Sequence, residues 1–156
     1  TGDDGSNQLT TLLANLGTHL PDPLERLRLV VESTKLAKDR LARMSKLERV
    51  AHAAAMNAPF APSMVTGYAK RHPIYNLVIS GVPGPKQPLY LDGMRLDETY
   101  PVSIPVDYLA LNITTASYGP DLGFGFVACR RSVPQLQRML DYTDESLREL
   151  EAATRA

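Results

Sequence analysis

Few side chains in this sequence could carry proton or nucleophile chemistry: His19, His52, His72 and Cys129. The histidines fall in a predicted loop, a predicted helix and a position before proline. None has a carboxylate or second histidine at metal-ligand or relay spacing, so each reads as a structural or solvated imidazole. A catalytic thiol needs a neighbouring base, and only Arg130 and Arg131 stand near Cys129, which therefore reads as a buried strand cysteine. There is no Gly-x-Ser-x-Gly elbow, phosphate-loop signature or dinucleotide fingerprint. The chain carries no self-contained active site of a common kind.

What it does carry is a constrained strand end. Asn76-Leu-Val-Ile-Ser-Gly-Val-Pro-Gly-Pro85 reads as a buried-type strand, Leu77 to Ile79, running into a turn with almost no backbone freedom. Pro83 and Pro85 fix φ and lack donors, while Gly81 and Gly84 can take positive φ or admit a close neighbour. Strand ends of this kind are where α/β proteins often place a ligand. The plainer alternative is a rigid chain reversal. Two further polar residues, Asn7 and Asn112, lie inside strand patterns, where a side-chain amide binds substrate or satisfies a neighbouring backbone group.

The elements that must position these residues follow from periodicity. Asn7 to Gly17, with Leu9, Leu12, Leu13 and Leu16, reads as an entry strand within residues 1–17. Asp22, Pro23 and Glu25 mark a helix start. Apolar or small residues from Leu24 to Val50 then recur at helical spacing, so residues 22–58 form one long helix or two consecutive ones. Met56 to Arg71, interrupted by Pro59 and Pro62, reads as a short helix plus loop. A sheet region spans residues 75–129. Its strands are Asn76 to Ser80, a hairpin around Asp92-Gly93, an alternating strand from Tyr108 to Tyr118, and Leu122 to Cys129 after a turn at Gly119-Pro120-Asp121. In the last strand Gly123 and Gly125 share a face, which implies close approach by another backbone or a ligand, or else a bulge. Ser132 and Gln135 mark a carboxy-terminal helix over residues 132–152. The fold class is α/β (α+β), a two-layer sandwich with a mixed, mainly antiparallel sheet and helices on one face.

Composition bounds the function classes. The 156 residues suit one domain with a real core, and 44% hydrophobic against 22% charged residues argues against disorder. Seventeen basic and seventeen acidic residues cancel, which speaks against a nucleic-acid partner. A basic face with Arg28, Lys35, Lys38, Arg43, Lys46 and Arg49 could meet phosphates or an anionic lipid surface; otherwise it is a solvated face softened by pairs such as Asp39 with Arg43. A lone cysteine forms no internal disulfide and fits a reducing compartment. No apolar run is long enough to span a bilayer and no signal-peptide pattern opens the chain, so membrane contact is expected to be peripheral at most. The opening Thr-Gly-Asp-Asp-Gly-Ser, without methionine, suggests a piece of something longer or a processed product.

Taken in order, the motifs resemble the carboxy-terminal half of the bacterial wax ester synthase/diacylglycerol acyltransferase family, nearly end to end. Asn7-Gln8 and Leu20-Pro-Asp-Pro-Leu-Glu-Arg-Leu27 resemble its strand-to-helix passage, and the 76–85 stretch resembles its Ser-Asn-Val-Pro-Gly-Pro turn. Pro88-Leu-Tyr-Leu-Asp-Gly93, Tyr100-Pro-Val-Ser103, Leu109-Ala-Leu-Asn-Ile-Thr114, Ser117-Tyr118, Phe124-Gly125 and Val133-Pro134 follow in the expected sequence. The chain departs from the pattern at Ser6, Gly81, Cys129 and Gln135, where the family usually has glycine, asparagine, aspartate and aspartate. The family's His-His-x-x-x-Asp-Gly motif belongs to the amino-terminal half, and no adjacent histidine pair exists here.

The resemblance implies a half-domain like those of the coenzyme A-dependent acyltransferases, two related α/β halves forming a channel. A histidine of the other half deprotonates an alcohol, whose oxygen attacks an acyl thioester. This chain would then contribute a channel wall and no catalytic residue, with Asn7, Ser80, Gly81, Pro83, Gly84 and Asn112 as expected substrate contacts. It implies no cofactor and no metal, acyl-CoA being a substrate. The implied partners are the amino-terminal half, acyl-CoA, and diacylglycerol or a fatty alcohol. The implied location is cytoplasmic, with peripheral contact at the inner membrane or lipid droplets. The alternative is a non-catalytic lipid-binding or interaction module descended from that family.

Overall fold

The structure, a computed structural model, describes residues 11–59, 62, 65–68, 72, 75–104 and 109–155. Seven of the sixteen residues of the expected short helix and loop at 56–71, and Tyr108 at the head of the fourth strand, lie outside the described residues. The chain divides into two compact units, one of residues 1–62 with 144–156 and the other of residues 63–143.

In the first unit, helix α1 runs Pro23–Arg43. Its start is fixed locally: Asp22 accepts the Glu25 N–H at 2.8 Å, and Pro23 occupies the first turn, where no intrahelical donor is needed. Met44 then leaves helical geometry, and helix α2, Lys46–Asn57, begins on Ser45. There the Glu48 N–H donates to Ser45 Oγ at 3.3 Å, and the Ser45 N–H donates to the Glu48 carboxylate at 2.7 Å. This reciprocal cap satisfies two orphan amides and divides the predicted helical stretch in two. The Ser45 amide first, and the Ser45 hydroxyl second, hold the Glu48 carboxyl below its usual pKa. Of the charged residues on these helices, Asp39 and Arg43 form no ion pair; the pairs among the described residues are Arg148 with Asp144 and Arg155 with Glu151.

Residues 11–17, expected to finish an entry strand, are not in one. The Asn15 N–H is taken by the Ser33 hydroxyl of α1 at 2.9 Å, and the Gly17 N–H by the Asn15 side chain at 3.0 Å. Backbone donors spent on a helix side chain and a local turn are not spent on a ladder. Gly17 closes the segment at φ 61°, where a Cβ would press within 3.1 Å of Arg26 Cγ. The turn Gly17 to Leu20 then leads into α1, with the Arg26 guanidinium donating to Leu20 O at 2.7 and 3.1 Å.

The second unit is built on a three-stranded sheet. Strand β1, Leu77–Val82, runs parallel to β4, Leu111–Tyr118, and β4 runs antiparallel to β5, Asp121–Ala128. The order β1-β4-β5 makes this a mixed sheet, and with the helices the fold is α/β. A separate hairpin pairs β2, Tyr90–Leu91, with β3, Met94–Arg95. Asp92 at φ 51° and Gly93 at φ 80° give it the two positive φ values of a type I′ turn, as the Asp-Gly pair predicts.

Register sets two sheet faces. One carries Val78, Ser80, Asn112, Thr114, Tyr118, Gly123 and Gly125; the other carries Ile79, Gly81, Thr115, Ser117, Leu122, Phe124 and Phe126. The first face is covered by the connector between β3 and β4. A Cβ at Gly123 would land on the carbonyl oxygen of Thr99, and one at Gly125 on that of Pro101. The paired glycines thus admit another backbone, as their shared face implied. Tyr118, 6% exposed, fastens the start of that connector by donating to Leu96 O at 2.7 Å and holds the residue before β2 by accepting from the Leu89 N–H at 3.0 Å.

Beyond β5 two expectations shift. Cys129 is exposed, not a buried strand residue, because the strand ends at Ala128 and the Cys129 carbonyl instead accepts from the Ser132 and Val133 N–H groups. The nearby Arg131 N–H, then the Ser132 N–H and hydroxyl, lower the thiol pKa from its usual value. The last helix, α3, spans Arg138–Arg155, six residues later than the predicted start at Ser132. The Arg138, Met139 and Leu140 amides donate three residues back, to Gln135 O, Leu136 O and Gln137 O, so the chain enters the helix through tight turns.

Candidate functional site

The turn after β1 is clamped onto the end of β4. Within Pro83-Gly84-Pro85 the prolines have no N–H, and the single donor, Gly84 N–H, is given to Ser117 Oγ at 2.9 Å. The Pro85 carbonyl accepts the Gly119 N–H at 3.0 Å. Gly84 lies so close to the β4 backbone that a Cβ there would meet the Ser117 carbonyl oxygen. The tripeptide therefore offers a ligand no main-chain donor. What it offers is a stiff surface of fixed position, suited to bounding a substrate rather than polarising one.

The residues singled out in the sequence do not converge on one point. Ser80 and Gly81 belong to β1, Pro83 and Gly84 to the clamped turn, and Asn112 to β4 opposite Val78. Asn7 lies outside the described residues. Ser80 and Asn112 share the covered face, whereas Gly81 looks across the other face to Thr115, whose Oγ1 would stand 3.6 Å from an added Cβ. Asn112 Oδ1 accepts from the Thr114 hydroxyl at 3.0 Å, and Thr114, 4% exposed, is also bonded to the Ser103 hydroxyl. Since Thr114 has one proton and gives it to Asn112, Ser103 must be the donor to Thr114. That run of three side chains fixes the orientation of the Asn112 amide.

Three of these partners, Ser103, Thr114 and Ser117, had no role assigned from sequence. Ser117 could have been suspected from its place at the end of an alternating strand, just before a glycine-proline turn, but its bond to Gly84 links residues 33 positions apart. Among the described residues the histidines have no catalytic company: His72 stacks on Tyr68 at 4.6 Å, His19 sits in the turn before α1, and His52 lies in α2. No group of His, Cys, Asp or Glu among the described residues could hold a metal ion. No described helix is long and apolar enough to cross a membrane.

A mixed α/β sheet thus ends in a rigid, glycine-wedged turn whose one main-chain donor is already used. Residues 5–151 match the family model described as the WS/DGAT C-terminal domain, and the chain belongs to that family. It is 40% identical over 148 residues to the O-acyltransferase WSD of Acinetobacter baylyi, covering 95% of this chain and 32% of that protein. It is also similar to the solved wax ester synthase/diacylglycerol acyltransferase of Marinobacter aquaeolei VT8, with a TM-score of 0.83 and 44% identity over 92% of this chain and 35% of that one. The chain thus spans about a third of the length of the relatives it matches.

Proposed function

We propose that this domain forms one wall of the substrate channel of an acyl-CoA-dependent O-acyltransferase that makes triacylglycerol or wax ester. The observation that carries the reading is the clamped Pro83-Gly84-Pro85 turn in a member of the WS/DGAT family: its shape is held by Ser117 and Gly119, and its one N–H is already used. In the reaction, a base takes the proton of the acceptor alcohol and the alcohol oxygen attacks the thioester carbonyl. The tetrahedral intermediate then expels the coenzyme A thiolate. In this reading the base belongs to another part of the enzyme. This domain contributes confinement near Ser80, Gly81, Pro83 and Gly84, and a pre-oriented amide at Asn112. Rigid confinement raises the rate by holding reactants close to attack geometry. Contact with a membrane or droplet surface would be peripheral, through the exposed basic residues of α1 and α2.

The test joins this chain to the amino-terminal portion of the enzyme and assays transfer from a long-chain acyl-CoA to diacylglycerol and to a fatty alcohol. Ester formation that requires both portions is the expected result. A well-folded complex that transfers nothing would overturn the reading in favour of a non-catalytic lipid-binding module.

A further inference from the structure

A second apolar site lies in the first unit, apart from the β1 turn and built from different elements. Leu36, Ala37, Arg40 and Leu41 of α1, His52 and Met56 of α2, and the 11–17 segment line a groove of about 300 Å³. That volume lies at the small end of the range for ligand pockets, which are mostly apolar with a few polar groups. The spacing explains why the groove exists. Positions 36, 37, 40 and 41 form one face of α1, positions 52 and 56 stack one turn apart on α2, and Asn15 bound to Ser33 holds the extended segment along α1. The walls are hydrocarbon, and Leu36 is 70% exposed despite being one of them. The polar residues of its lining are Arg40 and His52, with no carboxylate among the lining residues. Among the described residues the Arg40 side chain has neither an ion pair nor a hydrogen bond, so within them this obligate cation stands at an apolar groove without a counter-ion.

We propose that this groove binds a long-chain fatty carboxylate. The alkyl chain would cover the leucine and methionine walls and the carboxylate would take the Arg40 guanidinium, with the His52 ring as a second donor. A planar fork of N–H donors matches a carboxylate in both charge and geometry, which a neutral alcohol or ester cannot exploit. The assignment stands on the groove alone and does not need the acyltransferase reading.

Isothermal titration of the protein with dodecanoate and with dodecyl alcohol, both below their aggregation limits, separates the possibilities. The carboxylate should bind saturably and roughly tenfold more tightly than the alcohol, the scale of one charge-assisted contact. Arg40→Gln should remove that preference while leaving the alcohol's affinity unchanged, and Leu36→Ser should weaken both ligands. Both positions are exposed, so folding is preserved, and a thermal melt by circular dichroism checks it. Absence of saturable binding, equal binding of acid and alcohol, or affinities untouched by both substitutions would overturn the proposal. Because no acyl transfer is measured, failure here and failure of the acyltransferase reading remain distinct results.

Discussion

At the scale of single residues, the glycines of the β1 turn are not equivalent. Gly84 has no room for a Cβ because the Ser117 carbonyl occupies that space, whereas at Gly81 an added Cβ would make only an ordinary contact with Thr115. Gly84→Ala must either push the turn off β4 or lose the bond to Ser117, an overpacking cost of about 1–3 kcal/mol. Gly81→Ala should change stability by less than about 0.5 kcal/mol, as substitutions clear of tight contacts do. Urea denaturation of the two variants provides the comparison, and equal losses would show that the wedge at Gly84 does not exist. The rigidity of this turn was legible from its prolines and glycines. Its anchor was not, because Ser117 is distant in sequence and no local pattern announces a hydroxyl that accepts from a glycine amide.

Among the elements, the break between α1 and α2 depends on one reciprocal cap. Ser45→Ala should cost about 1 kcal/mol, the usual penalty for deleting an N-cap hydroxyl. The pH dependence follows from Glu48, whose carboxyl pKa is lowered in the folded state by the Ser45 amide first and the Ser45 hydroxyl second. A depressed folded-state pKa means stability that is present above the ordinary carboxylate pKa and is lost as pH falls through the folded value. Thermal melts on the acid side should therefore show a smaller pH-dependent loss in Glu48→Gln than in the parent, and parallel profiles would refute the role. The start of α1 and the Asp92-Gly93 hairpin were readable because their signals are local: an acceptor side chain three residues from an amide, and two residues that tolerate positive φ. The entry segment and the start of α3 were misread for the converse reason. Apolar alternation does not reveal that Ser33 captures the Asn15 amide, nor do Ser132 and Gln135 reveal the tight turns that delay the helix to Arg138.

At the scale of the molecule, few of the described side chains are deeply buried: Leu111, Thr114 and Tyr118 are, while Ile79, Leu122 and Phe124 on one sheet face stay exposed. Apolar surface on this scale marks an interface. An isolated preparation of this chain should associate as its concentration rises, visible in light scattering as a growing mean mass. A constant monomer mass across dilute and concentrated samples would contradict that. The same pattern bears on function. The chain spans about a third of its relatives' length, and the ordered motif series along its sequence is what made the family legible, because each motif keeps its place relative to the next.

The connector across β5 has a consequence for how this surface can vary. It is anchored at Thr99 and Pro101 through main-chain carbonyls seated on Gly123 and Gly125, so the hold at these two points does not depend on the outward-facing neighbours. Tyr100, Val102 and Ile104 point away and are 70, 86 and 84% exposed. Anchoring and display are thereby assigned to alternate positions of one extended segment. The displayed chemistry can be rewritten at 100, 102 and 104 while the path of the chain stays as it is.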